Sequence, residues 1–194
     1  MTAHTPRVLI EPRISRLLFA DTRLAPLWAL LRIYVGWQWL NAGWHKVTDP
    51  AWVGSQAGTA VTGFLRGALE RAGGERPSVS GWYASFIENV ALPNATLFSY
   101  LVAFGELVVG LALILGLLTG IAAFFGGLMN ANFLLAGTLS TNPVLFILAT
   151  WLVLGWRVAG WWGLDRWVLP RLGVLSAPSA EAGTPGARPE RTLR

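Results

Sequence analysis

The sequence predicts an all-α integral membrane protein, a four-helix bundle with a short helical cap between its first and second spans. Three observations carry that reading. The 194 residues are 54% hydrophobic and only 13% charged, with a mean hydropathy of +0.50, which leaves too few charges to coat a water-soluble globule and too many apolar groups for a disordered chain. Four apolar runs are long enough to cross a bilayer, where each crossing helix needs about 20 residues. Between the first two runs lies a hydrophilic stretch in which apolar residues recur at helical spacing.

Residues 1–24 form a mixed segment, expected to be cytoplasmic, in which Arg7, Arg13, Arg16 and Arg23 punctuate apolar pieces too short for a signal-peptide core. Residues 26–44, PLWALLRIYVGWQWLNAGW, open with a proline that suits a helix's first turn and make the first span. Residues 95–118, ATLFSYLVAFGELVVGLALILGLL, contain one charge and make the second. Thr119-Gly120 breaks the run before a third span over 121–139, and Ser140-Thr141-Asn142-Pro143 supplies the next turn. The fourth span, 144–162, ends in an aromatic group before Gly163-Leu164-Asp165-Arg166. The membrane domain is thus expected over 25–170. Residues 171–194, rich in Pro, Gly, Ala and Arg, are expected to be a disordered basic tail.

The segment at about 47–94 is too long for a plain loop. Val61, Phe64, Leu65, Ala68 and Leu69 predict one amphipathic helix over 59–72, and Trp82, Tyr83, Phe86, Ile87 and Val90 predict another over 81–90. Together they are expected to cap the outer mouth of the bundle. Basic residues at both chain ends, against a balanced outer segment, place both termini in the cytoplasm of a multi-pass cell-membrane protein. Tryptophans fit interfacial belts in that frame, Trp28, Trp161, Trp162 and Trp167 inside and Trp37, Trp39, Trp44 and Trp52 outside.

Composition also narrows the chemistry. The absence of cysteine removes thiol nucleophiles, disulfides, iron–sulfur clusters and thiolate metal sites. The only histidines, His4 and His45, do not supply two buried axial ligands for a haem. No metal-ligand cluster, phosphate loop or nucleotide motif is visible, so neither metal, haem nor nucleotide is expected as a cofactor. The net charge of +5 is better explained by arginines at helix ends beside membrane lipid than by nucleic acid.

Ionisable groups inside spans are costly and are kept for pairing or function. Arg32 and Glu106 fall at similar depth and are expected to pair, with Arg157 and Asp165 completing a buried network on the inner half. That network either holds four helices in register or forms a site for a polar headgroup or a reducible ligand. On the first span, Arg32, Gly36, Trp39, Gly43 and Lys46 share one stripe, and Tyr34, Gln38, Asn41 and His45 share the opposite one. Gln38, Asn41, His45 and Trp44 either bond across helices or wall a cavity beneath the cap. Asn130 and Asn132 are expected to bond between helices, while Ala123, Gly127 and Ala131 favour a close helix contact.

LLRIYVGWQWLNAGWHK, FGELVVGLALILGLLTGIAAFFGGLMNANF and STNPVLFILATWLVLGWRVAGWWGLDRW together resemble the DoxX-like membrane proteins. The likeness runs from about residue 30 to 169, and GWYASFIENVALPNA looks like the outer segment of DoxD-type members, subunits of thiosulfate:quinone oxidoreductase. Arg32, Lys46, Glu106, Asn142 and Asp165 match the family's polar positions. The resemblance implies oxidation of thiosulfate to tetrathionate, with a membrane quinone as diffusible acceptor and a DoxA-like or other redox subunit as partner. Glu106 would handle protons, Arg32 would orient it, and Lys46 with His45 would attract an anion. The alternative is a non-catalytic scaffold anchoring a redox partner, as a monomer or an oligomer; a small transporter or lipid-binding protein is a weaker third reading, with no broken helix pair or repeat to support it.

Overall fold

The computed structural model describes residues 12–174; the rest of the N-terminal segment and most of the expected tail lie outside them. Those residues are all-helical, with no strand among them. The helices are α1 (Arg13–Ala20), α2 (Ala25–Val47), α3 (Thr59–Glu70), α4 (Gly81–Phe86), α5 (Ala95–Leu115), α6 (Thr119–Leu135), α7 (Asn142–Leu154), α8 (Trp156–Ala159) and α9 (Asp165–Arg171). A single π turn, Ile87–Ala91, follows α4.

Most boundaries follow local chemistry. Pro26 sits in the first turn of α2, and Gly116 ends α5 in the left-handed conformation at φ 66°. The helix expected over 144–162 instead stops at Leu154. The Trp28 ring fills the space a side chain at Gly155 would need, so the chain turns there and continues as the short α8. One helix was not foreseen: α1 is amphipathic and docks by its last turn, where the Trp28 indole N–H donates to the Leu18 carbonyl at 2.9 Å and Phe19 packs on the Trp28 ring.

α2 packs along α5 and α6 along α7, and the two pairs meet through α5 with α6 and α2 with α7. The α2–α5 seam is unusually close. A Cβ on Gly43 would stand 2.9 Å from Leu107 Cα, and one on Gly110 would fall onto the backbone of Leu40. The stripe of Arg32, Gly36, Trp39 and Gly43 is the buried face of α2, as its spacing suggests. Trp28 and Trp39 are core residues rather than belt residues, whereas Trp37, Trp44, Trp162 and Trp167 are exposed.

Two apolar cores result. One, containing Val35, Trp39, Val109, Leu113 and Leu152, fills the helix pairs; the other, containing Val61, Leu65, Tyr83 and Ile87, fills the space between the cap and the bundle. The outward face of α5 leaves Leu97, Leu101, Val108 and Leu111 exposed, a run of bare apolar surface that water disfavours and a bilayer accepts. α5 alone is both long and apolar enough to pass as a span by length and composition among the described residues. α6 and α7 are apolar but shorter, and α2 is longer but carries Arg32, His45 and Lys46.

Candidate functional site

Beneath the cap lies a cavity of about 690 Å³, within the range of small-molecule sites. Its walls are mostly apolar and aromatic. Trp39 comes from α2, Phe64 from α3, Tyr83 from α4, Phe98 from α5 and Phe133 from α6, with Trp52 from the turn after α2. The sequence leaves two readings for Gln38, Asn41, His45 and Trp44, bonds across helices or the wall of a cavity; in the structure Gln38 and Asn41 line this cavity. Asn142, at the start of α7, lines it as well and donates to the Thr138 carbonyl at 3.1 Å.

The charged part of the wall is a single ion pair. Lys46 Nζ donates to Glu106 Oε2 at 2.6 Å, with the Glu106 side chain 2% exposed and that of Lys46 20% exposed. The ammonium also sits 5.1 Å from the centre of the Trp52 ring, a cation–π contact that adds a second favourable partner. Trp52 is in turn held by Ser99, whose hydroxyl donates to the Trp52 carbonyl at 2.7 Å.

The expected Arg32–Glu106 pair does not form, because the two groups lie at different depths of the α2–α5 seam. Glu106 stands beside Gly43, whereas Arg32 stands beside Gly116, about eleven residues or roughly 16 Å away at 1.5 Å per residue, and side-chain direction adds to the separation. Helical side chains lean toward their own N-terminus. α2 and α5 are antiparallel here, so Arg32 leans away from the cap while Glu106 leans toward it; Lys46, near the cap end of α2, leans back to meet Glu106. Arg32 donates instead to the Leu113 carbonyl, to the Ile114 carbonyl at 3.0 Å and to the Trp162 carbonyl at 3.2 Å. The first two are carbonyls in the last turn of α5, the partially negative end of the helix, and that of Leu113 also accepts from the Gly116 amide at 3.2 Å.

Asp165 completes this inner clasp from the opposite sign. It accepts from the Leu118 and Thr119 amides at 2.5 and 2.9 Å, capping α6, whose own N-cap residue Leu118 has no polar side chain. Its charge also acts on Arg32. Thus Arg32 closes one helix, Asp165 opens the next, and the α5–α6 turn is gripped between them.

The rest of the predicted network is dispersed. Arg157 is exposed on α8 and is not a buried network member. Asn130 is fully buried, but neither atom of its amide is bonded within the chain, so it does not tie helices together by hydrogen bonds. Asn132 bonds to the cap: the Tyr83 hydroxyl donates to its Oδ1 and its carbonyl, each at 3.1 Å. Burial pushes the Tyr83 phenol above its ordinary range. His45 and Trp44 are exposed and do not line the cavity; Trp44 lies off the face of α2 turned to it, while His45 shares the stripe of Gln38 and Asn41 but stands a turn beyond them, at the end of the helix.

Trp52 and Tyr83 were missed as site residues. Tyr83 was visible as one apolar position of an amphipathic helix, but no spacing rule brings Trp52 back over Lys46 across the turn after α2. Arg71 was also missed; it donates to the Ala136 carbonyl at 3.0 Å, tying the end of α3 to the end of α6.

No curated protein and no solved structure matches this chain. A family model does: the DoxX model matches residues 27–139, a span that contains nearly all of α2, the cap, α5 and α6, and with them Lys46, Glu106 and most of the cavity wall. The chain belongs to the DoxX family of membrane proteins.

Proposed function

We propose that this protein is the membrane subunit of a quinone-linked oxidoreductase, with α2, α5, α6 and α7 crossing the bilayer and both termini cytoplasmic. The observation that carries the reading is a buried ion pair set in the wall of an otherwise apolar, aromatic-lined cavity. A quinone ring needs flat apolar surfaces to lie against and a polar group that exchanges a proton when it is reduced. Trp39, Trp52, Tyr83 and Phe133 supply the first, and Lys46 with Glu106 supplies the second. Gln38, Asn41 and Asn142 add hydrogen-bonding groups for the ring oxygens.

The donor we propose is thiosulfate, following the DoxD-type resemblance. Two thiosulfate ions join through a new sulfur–sulfur bond and release two electrons; the quinone accepts those electrons with two protons and leaves as quinol. The Lys46–Glu106 pair passes protons to the ring oxygens, and a DoxA-like partner carries the sulfur chemistry. Arg32, bound to backbone carbonyls at the far end of α5, is a structural residue in this scheme, and His45 takes no part in it.

Membranes containing the protein and its partner are expected to reduce an added quinone on addition of thiosulfate. Glu106→Gln at equal expression should lower that rate at least tenfold; full activity in the variant sinks the proton role. The topology has its own check, because the chain contains no cysteine and any introduced one is unique. In intact cells an impermeant maleimide should label Gln56→Cys in the cap loop and leave Leu172→Cys after α9 unlabelled until the membrane is opened. The reverse pattern would turn the protein over.

A further inference from the structure

At the end of the molecule opposite the cap, α1 packs against α8, and Asp165 at the start of α9 bonds the first residues of α6. Among the described residues this end carries seven arginines against two aspartates. Both aspartates are engaged: Asp21 pairs with Arg23 at 2.6 Å, and Asp165 is buried on backbone amides. The cap end, by contrast, has one lysine and three arginines against five carboxylates. The two ends therefore differ strongly in charge.

The basic end is also apolar. Arg13, Arg157, Arg166 and Arg171 are exposed, and among them Ile14, Trp162 and Trp167 are 73%, 62% and 56% exposed. Arg166 lies over the Trp161 ring at 5.5 Å, holding a guanidinium and an indole side by side. Water alone does not suit such a surface, and neither does an acidic protein partner, which would leave the tryptophans uncovered. The boundary layer of a bilayer satisfies both halves: indoles settle between acyl chains and headgroups, and guanidinium groups grip phosphate oxygens bidentately.

We propose that α1, α8 and α9 form a collar that binds anionic phospholipid, with Arg13, Arg157, Arg166 and Arg171 on the headgroup phosphates and Trp162 and Trp167 among the acyl chains. The collar is remote from the cavity and does not depend on any redox activity. It makes the protein selective for a negatively charged leaflet, beyond the general preference of basic loops for the cytoplasm.

The test is a lipid titration of the purified full chain in a neutral detergent, read by native mass spectrometry and thermal unfolding. Phosphatidylglycerol is expected to bind about tenfold more tightly than phosphatidylcholine and to raise the unfolding temperature, with both effects weakened by salt as screening requires. The Arg13→Gln/Arg166→Gln/Arg171→Gln variant, checked for unchanged helicity by circular dichroism, should lose the preference while still binding phosphatidylcholine. Equal affinity for the two lipids, or a preference that survives the triple substitution, overturns the proposal. Protection by inorganic phosphate equal to that by phosphatidylglycerol would also overturn it, since the site would then recognise a free anion rather than a lipid.

Discussion

Asp165→Ala is expected to destabilise the protein by about 3–5 kcal/mol, the usual effect of removing one partner from a buried charge arrangement. The substitution strips the cap from α6, freeing the Leu118 and Thr119 amides, and leaves Arg32 without its nearby opposite charge. Each buried amide left without a partner costs about 1–3 kcal/mol. Arg32 cannot swing out to water, because it is 1% exposed and already bonded to carbonyls at the end of α5. Asp165→Asn keeps one carbonyl acceptor and should fall between the wild type and alanine. Thermal unfolding in detergent checks the order; an alanine variant as stable as the wild type would mean that the clasp contributes nothing to holding the α5–α6 turn.

The ion pair should behave differently from the clasp, since its two members are not equally trapped. Lys46→Met leaves the Glu106 carboxylate, 2% exposed, with no cation to pair with, and should destabilise by about 3–5 kcal/mol. Glu106→Leu leaves Lys46, which is partly exposed and has a flexible stem that can carry its ammonium toward water, so the loss should be smaller. The double variant Lys46→Met/Glu106→Leu buries no charge and should recover most of the stability, as apolar replacements of buried pairs often do. Yet it should reduce no quinone. Stability measured by thermal unfolding and activity measured in membranes would then separate, and a double variant no more stable than Lys46→Met would rule out the pairing as the source of the cost.

The helices themselves were legible because their signal is repetitive: apolar runs and 3.6-residue spacing survive local exceptions. α2, α3 and α5 begin or end within a few residues of where proline, glycine and spacing place them. α7 was not read correctly, because its end at Gly155 is decided by the Trp28 ring, a residue more than a hundred positions away. The site was partly legible for the same reason. Lys46, Glu106, Gln38 and Asn41 stand out as polar groups in apolar surroundings, but which of them meet depends on the offset at which α2 and α5 pack, and the limits of an apolar run do not fix that offset. The glycine seam sets Glu106 beside Gly43 and Arg32 beside Gly116, so Glu106 meets Lys46 rather than Arg32. Trp52 comes to the ion pair through the fold of a turn, and no periodicity announces it.

The glycine contacts between α2 and α5 have a mechanical side. Where two backbones touch at Gly43 and Gly110, no side chain is present whose rotation could loosen the joint. Lys46 projects from one of these helices and Glu106 from the other, so the charges straddle a joint that does not slide. The spacing of the two charge-bearing backbones is therefore set by main-chain contact and not by the packing of side chains.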